Sequence, residues 1–384
     1  MLAVAASAFG VFGLWVGCSA VLLADLSRAI GLSPGPLGVA LFAGAGASLA
    51  AMTTLGWTVD RFGRKAFLIT VACVLGLEIS GLALVESFWA LVAVLVLFSP
   101  AGGLYDVGIN AVAVDLERLS GRRFMSFLHA LYAAGAMSGA VGAGALLSAG
   151  VDYRLVYLAL LVPLTAVVAA IAAFPFPHRD GGTDDKRAEG VDRESRTWHW
   201  DLYRSGPLLL IAAIATLALA SEREMQFWSG IYLRDSLGMG ALLGGSGVAL
   251  FFGAMALGRL GTALIVGRFG NRRTLVLAGG LAAAGMTLAL ATTLPALVIG
   301  GFLLVGLAIS GMAPLAYSAA GDLVPGRAGA AVSVVTASSF GGGLLATPAV
   351  GGLAELTGLR TALGLVILAG LAVFVLSLRL RETA

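Results

Sequence analysis

The sequence predicts an all-α membrane protein: twelve transmembrane helices arranged as two pseudo-symmetric six-helix bundles. Composition is the first reason. Of 384 residues, 59% are apolar and 12% charged, whereas soluble domains average roughly 45–50% and 25%. So few charges do not coat a surface in water. The second reason is the recurrence, from end to end, of apolar runs near the ~20 residues that cross a bilayer core. The third is a short charged motif that appears once in each half.

Residues 2–24, 37–56, 66–85, 88–113, 125–149 and 154–174 form the first six spans, separated by breaks that are charged or rich in Pro and Gly. Residues 206–226, 240–266, 274–292, 295–320, 328–350 and 361–378 form the second six. Thr274 to Gly321 carry no charge, and the turn signal Thr292-Thr293-Leu294-Pro295 divides that stretch. The 54 glycines suit helices whose backbones approach closely in lipid. The longest polar stretch, 175–204, separates the sixes, so the expected domains are 1–174 and 205–384 with that loop between them. Its Trp198, Trp200 and Tyr203 favour the headgroup level, as an amphipathic piece on the inner membrane face.

Orientation follows from Lys and Arg. Arg61, Arg64, Lys65, Arg118, Arg122, Arg123, Arg268, Arg272, Arg273, Arg327 and Arg379 share one side with the termini and the 175–204 loop. Arg28, Arg154, Arg223, Arg234 and Arg360 fall on the other. The bias puts both termini in the cytoplasm. The opening run lacks a basic n-region and a small-residue cleavage site, so it reads as the first span.

Several chemistries are excluded. Cys18 and Cys73 lie in apolar runs, which argues against a disulfide framework or a thiolate metal site. The three histidines are scattered. No G-x-x-x-x-G-K-[ST] phosphate loop or G-x-S-x-G nucleophile occurs, and the basic residues follow inner loops, not a nucleic-acid surface. No catalytic residue, cofactor or metal is expected. The bilayer is an expected partner and a nucleic acid is not, and the chain is expected to be a monomer.

A charge at the bilayer centre costs at least about 2.5–3.5 kcal/mol on insertion scales, so each one asks for a function or a partner. Asp106 and Asn110, spaced i, i+4, share a face of the fourth span, and His129 lies at similar depth on the fifth. Asp106 and His129 form either a proton-exchanging pair or a static bond between those spans. Asn110 joins the expected substrate set. Glu222 and Gln226 share a face of the seventh span, with Trp228 just beyond. They either bind and stack on a polar solute or form the polar mouth of a helix. Glu78 reads as structural, and Arg259 faces a cavity or snorkels inward. Pro348 removes a hydrogen bond from the glycine-rich eleventh span, which makes that span a gating helix or a close-packed one.

The doubled motif reads Asp60-Arg61-Phe62-Gly63-Arg64-Lys65 and Gly267-Arg268-Phe269-Gly270-Asn271-Arg272, in the second loop of each half. Repeated halves are a usual construction of secondary transporters. Gly56 to Lys65 resembles the G-x-x-x-D-R-x-G-R-K signature of the major facilitator superfamily, and the resemblance covers the whole chain. It implies the major facilitator fold. It also implies a gating set: Gly56 packing against helix 11, Asp60 at a helix N-terminus, and Arg64 paired with Asp115 as an inner latch. The second copy has Gly267 in place of the aspartate, so the latch is expected to be asymmetric. Asp106-Val107-Gly108-Ile109-Asn110, Glu117, His129 and the Glu222–Asp235 stretch look like the YbjJ-like branch, related to fucose and glucose proton symporters. That likeness implies a sugar-like solute and makes Asp25 a further proton site. The expected function is alternating-access secondary transport, proton-coupled, of a small polar solute. Proton-driven efflux of amphipathic compounds and a non-transporting sensor are the alternatives.

Overall fold

The computed structural model describes residues 1–122, 124–174, 202–324 and 327–380, and every regular element among them is helical. The first half holds α1 (Leu2–Ala29), α2 (Pro34–Leu55), the short α3 (Thr58–Arg61), α4 (Arg64–Leu84), α5 (Phe88–Phe98), α6 (Pro100–Ser120), α7 (Met125–Ser148), α8 (Tyr153–Ala159) and α9 (Leu161–Ala173). In the second half, α10 (Gly206–Ile231) runs into a π-turn, Tyr232–Ser236. Then come α11 (Ala241–Ala291), α12 (Pro295–Ile309), α13 (Met312–Leu323), α14 (Ala328–Thr357), α15 (Leu359–Ala362) and α16 (Gly364–Leu378). Eleven stretches of described helix are long and apolar enough to cross a membrane. The 26-residue α10, interrupted by Glu222-Arg223-Glu224, takes the seventh place and completes the twelve-helix order.

Proline chemistry explains why some spans are split. A proline ring clashes with the carbonyl four residues back. Pro163 faces Ala159, where α8 stops, and Pro314 faces Ser310, between α12 and α13. Pro100 opens α6 at a position that needs no amide donor. Pro348 differs: α14 continues through it. Within α11 the chain turns sharply at Gly270 (φ 76°, ψ 167°), a conformation that disfavours any Cβ. This hydrogen-bonded run therefore supplies both the eighth and the ninth spans.

Two compact units emerge from the contacts, and they do not follow the sequence halves. One comprises Met1–His178, Met225–Gly253 and Thr347–Ala362; the other comprises Arg179–Glu224, Ala254–Ala346 and Leu363–Ala384. In the first unit α1 and α7 pack backbone to backbone. A Cβ on Gly13 or Gly17 would overlap the Tyr132 or Ala136 carbonyl, and one on Gly139 would overlap Leu14. Small residues are what permit such an approach in lipid. The second unit has an apolar cluster of Leu208, Ile211 and Ala215 from α10, Ala316 and Ala320 from α13, and Ala331 and Val335 from α14. The expected amphipathic piece with Trp198 and Trp200, and all of the 175–204 loop up to residue 201, lie outside the described residues.

Candidate functional site

In the orientation that the charge distribution predicts, the motif loop lies at the inner end of the first unit. There Gly63 (φ 79°) reverses the chain between α3 and α4 and starts α4 at Arg64. Arg64 Nε donates to Asp115 Oδ2 of α6 at 2.8 Å, with the two side chains 10% and 16% exposed. Lys65 Nζ next to it donates to the Ala172 carbonyl at the end of α9, 2.6 Å away. A cation there meets the negative end of a helix dipole. Asp60 belongs to α3, but its side chain lies outside the described residues.

Gly56 was expected to admit helix 11. Within the first unit, the atom nearest its Cβ position is the Met52 carbonyl of its own helix, 2.5 Å away. The close approach of α2 to α14 occurs near the opposite end, where a Cβ on Gly38 would lie 3.2 Å from Pro348 Cα and 3.3 Å from Gly351 Cα. Glycine marks tolerance for a close neighbour, and the neighbour depends on helix crossing.

The outer rim of the first unit is closed by three helix pairs built alike. α1 meets α10 with Gly230 under the Ala20 carbonyl, and α2 meets α14 through Gly38 and Gly351. α7 meets α11 with Gly245 against the Ala140 carbonyl. Each contact ends in a polar tie. Arg234 forks onto Asp25, with Nη2 to Oδ1 at 2.8 Å and Nη1 to Oδ2. The Gly35 amide donates to Glu355 Oε2 at 2.9 Å, and the Leu242 amide to Ser148 Oγ at 3.0 Å. Arg28 joins the first tie by bonding Asp25 at 2.9 Å and Asp235 at 3.2 Å. Burial raises the Asp235 carboxyl above its ordinary range, while Arg28 and Arg234 pull it down. Asp25, expected as a proton site, is thus a member of an ion network between α1 and the π-turn. Its oxygens are occupied by guanidinium groups.

Within the spans of the first unit, Asn110 Nδ2 donates to Asp106 Oδ1 at 3.0 Å and to the Asp106 carbonyl at 2.9 Å; both side chains are half-buried. The i, i+4 spacing makes this bond possible. His129 is exposed and sets its ring edge-on to Phe9, centroids 5.4 Å apart. Beside them stands an aromatic group that sequence reasoning missed: Phe12 contacts Trp15, Tyr105 and Tyr132 at 5.4–5.7 Å. Trp15 Nε1 and Tyr105 Oη make no hydrogen bond among the described residues. The i, i+3 spacing of Phe9, Phe12 and Trp15 was the available signal.

In the second unit Glu222 of α10 accepts from Arg259 Nη2 of α11 at 3.3 Å, with 28% and 44% of the side chains exposed. Arg223, one residue on, points elsewhere and lies over the Phe340 ring of α14 at 6.0 Å. The pairing of Arg259 was missed, although a basic residue inside a span calls for a carboxylate. Trp228, expected to stack on the solute, is fully buried in the first unit and packs near Gly351 of α14. Its indole is part of a helix contact and does not line an open path. Gln226 is half-buried. Glu78 is 2% exposed, with Oε2 unbonded among the described residues, inside the bundle.

Comparison with known proteins gives a consistent picture. A family model described as Major Facilitator Superfamily matches residues 1–268 and 233–384. An uncharacterised MFS-type transporter of Yersinia pestis is 30% identical over 361 residues, covering 94% of this chain and 91% of its own length. Among solved structures, a point variant of the nucleoside transporter NupG superposes with a TM-score of 0.81 at 13% identity, over 98% of both chains. A D-xylose-proton symporter superposes with a TM-score of 0.72 at 13% identity, over 98% of this chain and 96% of its own. At that identity the likeness carries the fold.

Proposed function

Because this chain belongs to the Major Facilitator Superfamily, we propose that it moves a small polar solute, such as a sugar, by alternating access and couples that movement to protons. The coarser statement is secure: it is a multi-pass membrane protein of a transporter family, a secondary carrier of small solutes and not an enzyme. The finer reading places it as a monomer in a bacterial inner membrane, with both termini cytoplasmic and the bundles 1–174 and 205–384 as its moving parts. Its branch within the superfamily is the YbjJ-like one.

The observation that carries the reading is the Asp106–Asn110 bond, a half-buried carboxylate and carboxamide in the stretch Leu104–Val114 of α6, which has no other charged side chain. Intramembrane polar groups of this kind mark solute or proton pathways. Protonation of Asp106 removes its charge and leaves the Asn110 bond to reorganise, which is a local event that biases a two-state helix bundle. The exposed Glu222–Arg259 pair offers a second set of donors and acceptors for hydroxyl groups. Two of the fold's solved neighbours are named for a nucleoside and for xylose, solutes that both contain a sugar ring. The Arg64–Asp115 bond and the outer ties are read as the inner and outer gates, with Asp25 assigned to the outer gate.

The test is uptake into proteoliposomes under an imposed pH gradient, with the solute first identified by thermal-shift screening. Accumulation driven by an inward proton gradient supports symport, and extrusion makes the protein an antiporter. Asp106→Asn is expected to abolish accumulation and to retain counterflow exchange. Unchanged accumulation in that variant removes Asp106 from coupling.

A further inference from the structure

At the inner end of the second unit lies a cavity of about 650 Å³, formed by the start of α10, the turn at Gly270, the end of α13 and the end of α16. Its described lining carries three guanidinium groups, from Arg272, Arg273 and Arg379, and no acidic side chain. The remaining wall is largely apolar, with Leu210, Leu323 and Leu380 among its residues. Its size falls within the roughly 300–1,000 Å³ of small-molecule sites.

Backbone geometry concentrates the charge here. The positive φ of Gly270 turns the chain between the eighth and ninth spans and delivers Arg272 and Arg273 to one wall. Arg272 Nη2 then donates to the Leu378 carbonyl at 2.9 Å, which draws the end of α16, and with it Arg379, to the same wall. Arg273 and Arg379 are exposed. Three basic groups against leucines, at the level where spans end, match one kind of molecule: phosphate ester on one side, acyl chain on the other. A soluble phosphate has no use for the apolar wall. A zwitterionic headgroup would set its own cation beside the arginines.

We infer that this cavity binds the phosphate headgroup of an anionic glycerophospholipid from the inner leaflet. Basic pockets between spans on the cytoplasmic side are suited to such headgroups. Arg273 and Arg379 contact the phosphate, and the leucines hold the proximal acyl chain. Bound there, the lipid ties the α11 turn to the ends of α10, α13 and α16 and stabilises the second unit. The site is independent of the transported solute.

Purified protein in neutral detergent is titrated with short-chain phosphatidylglycerol, phosphatidylcholine or inorganic phosphate, reading thermal midpoint and, by native mass spectrometry, bound lipid. Phosphatidylglycerol is expected to raise the midpoint saturably, and the other two to leave it unmoved. Each arginine at an anionic lipid contributes a factor of about five, so R273Q/R379Q is expected to weaken binding about 30-fold. Its lipid-free midpoint should match wild type, and R273Q or R379Q alone gives the intermediate loss if the double variant fails to fold. Equal stabilisation by phosphatidylcholine, the full shift with phosphate alone, or undiminished phosphatidylglycerol binding by the arginine variants overturns the assignment.

Discussion

The two copies of the charged loop motif solve the same structural problem with different parts. In the first, Lys65 binds the carbonyl end of α9 and Arg64 binds Asp115. In the second, Arg272 stands 207 residues after Lys65 and binds the Leu378 carbonyl at the end of α16. Asn271 replaces the arginine, however, and Asp322, 207 residues after Asp115, makes no ion pair among the described residues. The cation on a helix end is thus kept in both halves, while the ion pair survives in one. Helix capping is a local need of any chain that turns sharply at a glycine.

That contrast sets three expectations. The largest concerns Arg64→Ala, which strands a carboxylate that is 16% exposed. Its removal should destabilise the protein by about 1–3 kcal/mol and slow transport, whereas Asn271→Ala should stay within about 0.5 kcal/mol. Equal shifts in thermal unfolding would erase the difference between the copies. Next come Lys65→Ala and Arg272→Ala, each losing a helix-end contact of about 0.3–1 kcal/mol. Matching losses confirm a shared capping role, and a silent Arg272→Ala would leave the second copy without one. Smallest is Asn271→Arg, which offers Asp322 a partner at an exposed position. The gain should remain under about 1 kcal/mol and vanish when Asp322→Asn is added; a gain that persists in the double variant comes from elsewhere.

The loop motif itself was legible in the sequence because its glycine, its charges and its place after a span are local features. The Arg64–Asp115 partnership was legible through family resemblance, not through spacing. The remaining partners were not. Asp25 and Arg234 lie far apart in sequence yet share two hydrogen bonds, and nothing in the intervening residues pairs them. Trp228 misled for the same reason, since an aromatic near a polar helix face looks alike whether it meets a solute or a glycine on α14. Pro348 left two readings open, a gating helix or a close-packed one, and the contact of its Cα with Gly38 is a close packing that spacing did not contain.

Run length, charge bias and the doubled motif were enough to set the number of crossings, their order and the repeat. All three are read along the chain without knowing which helices touch, and run length acts segment by segment because each span enters lipid on its own apolar character. Three-dimensional packing assigned Arg259 to Glu222, Asp25 to Arg234 and Gly38 to Gly351. Those contacts act over a few ångströms, and helix crossing angles, which linear order does not contain, determine which residues come that close.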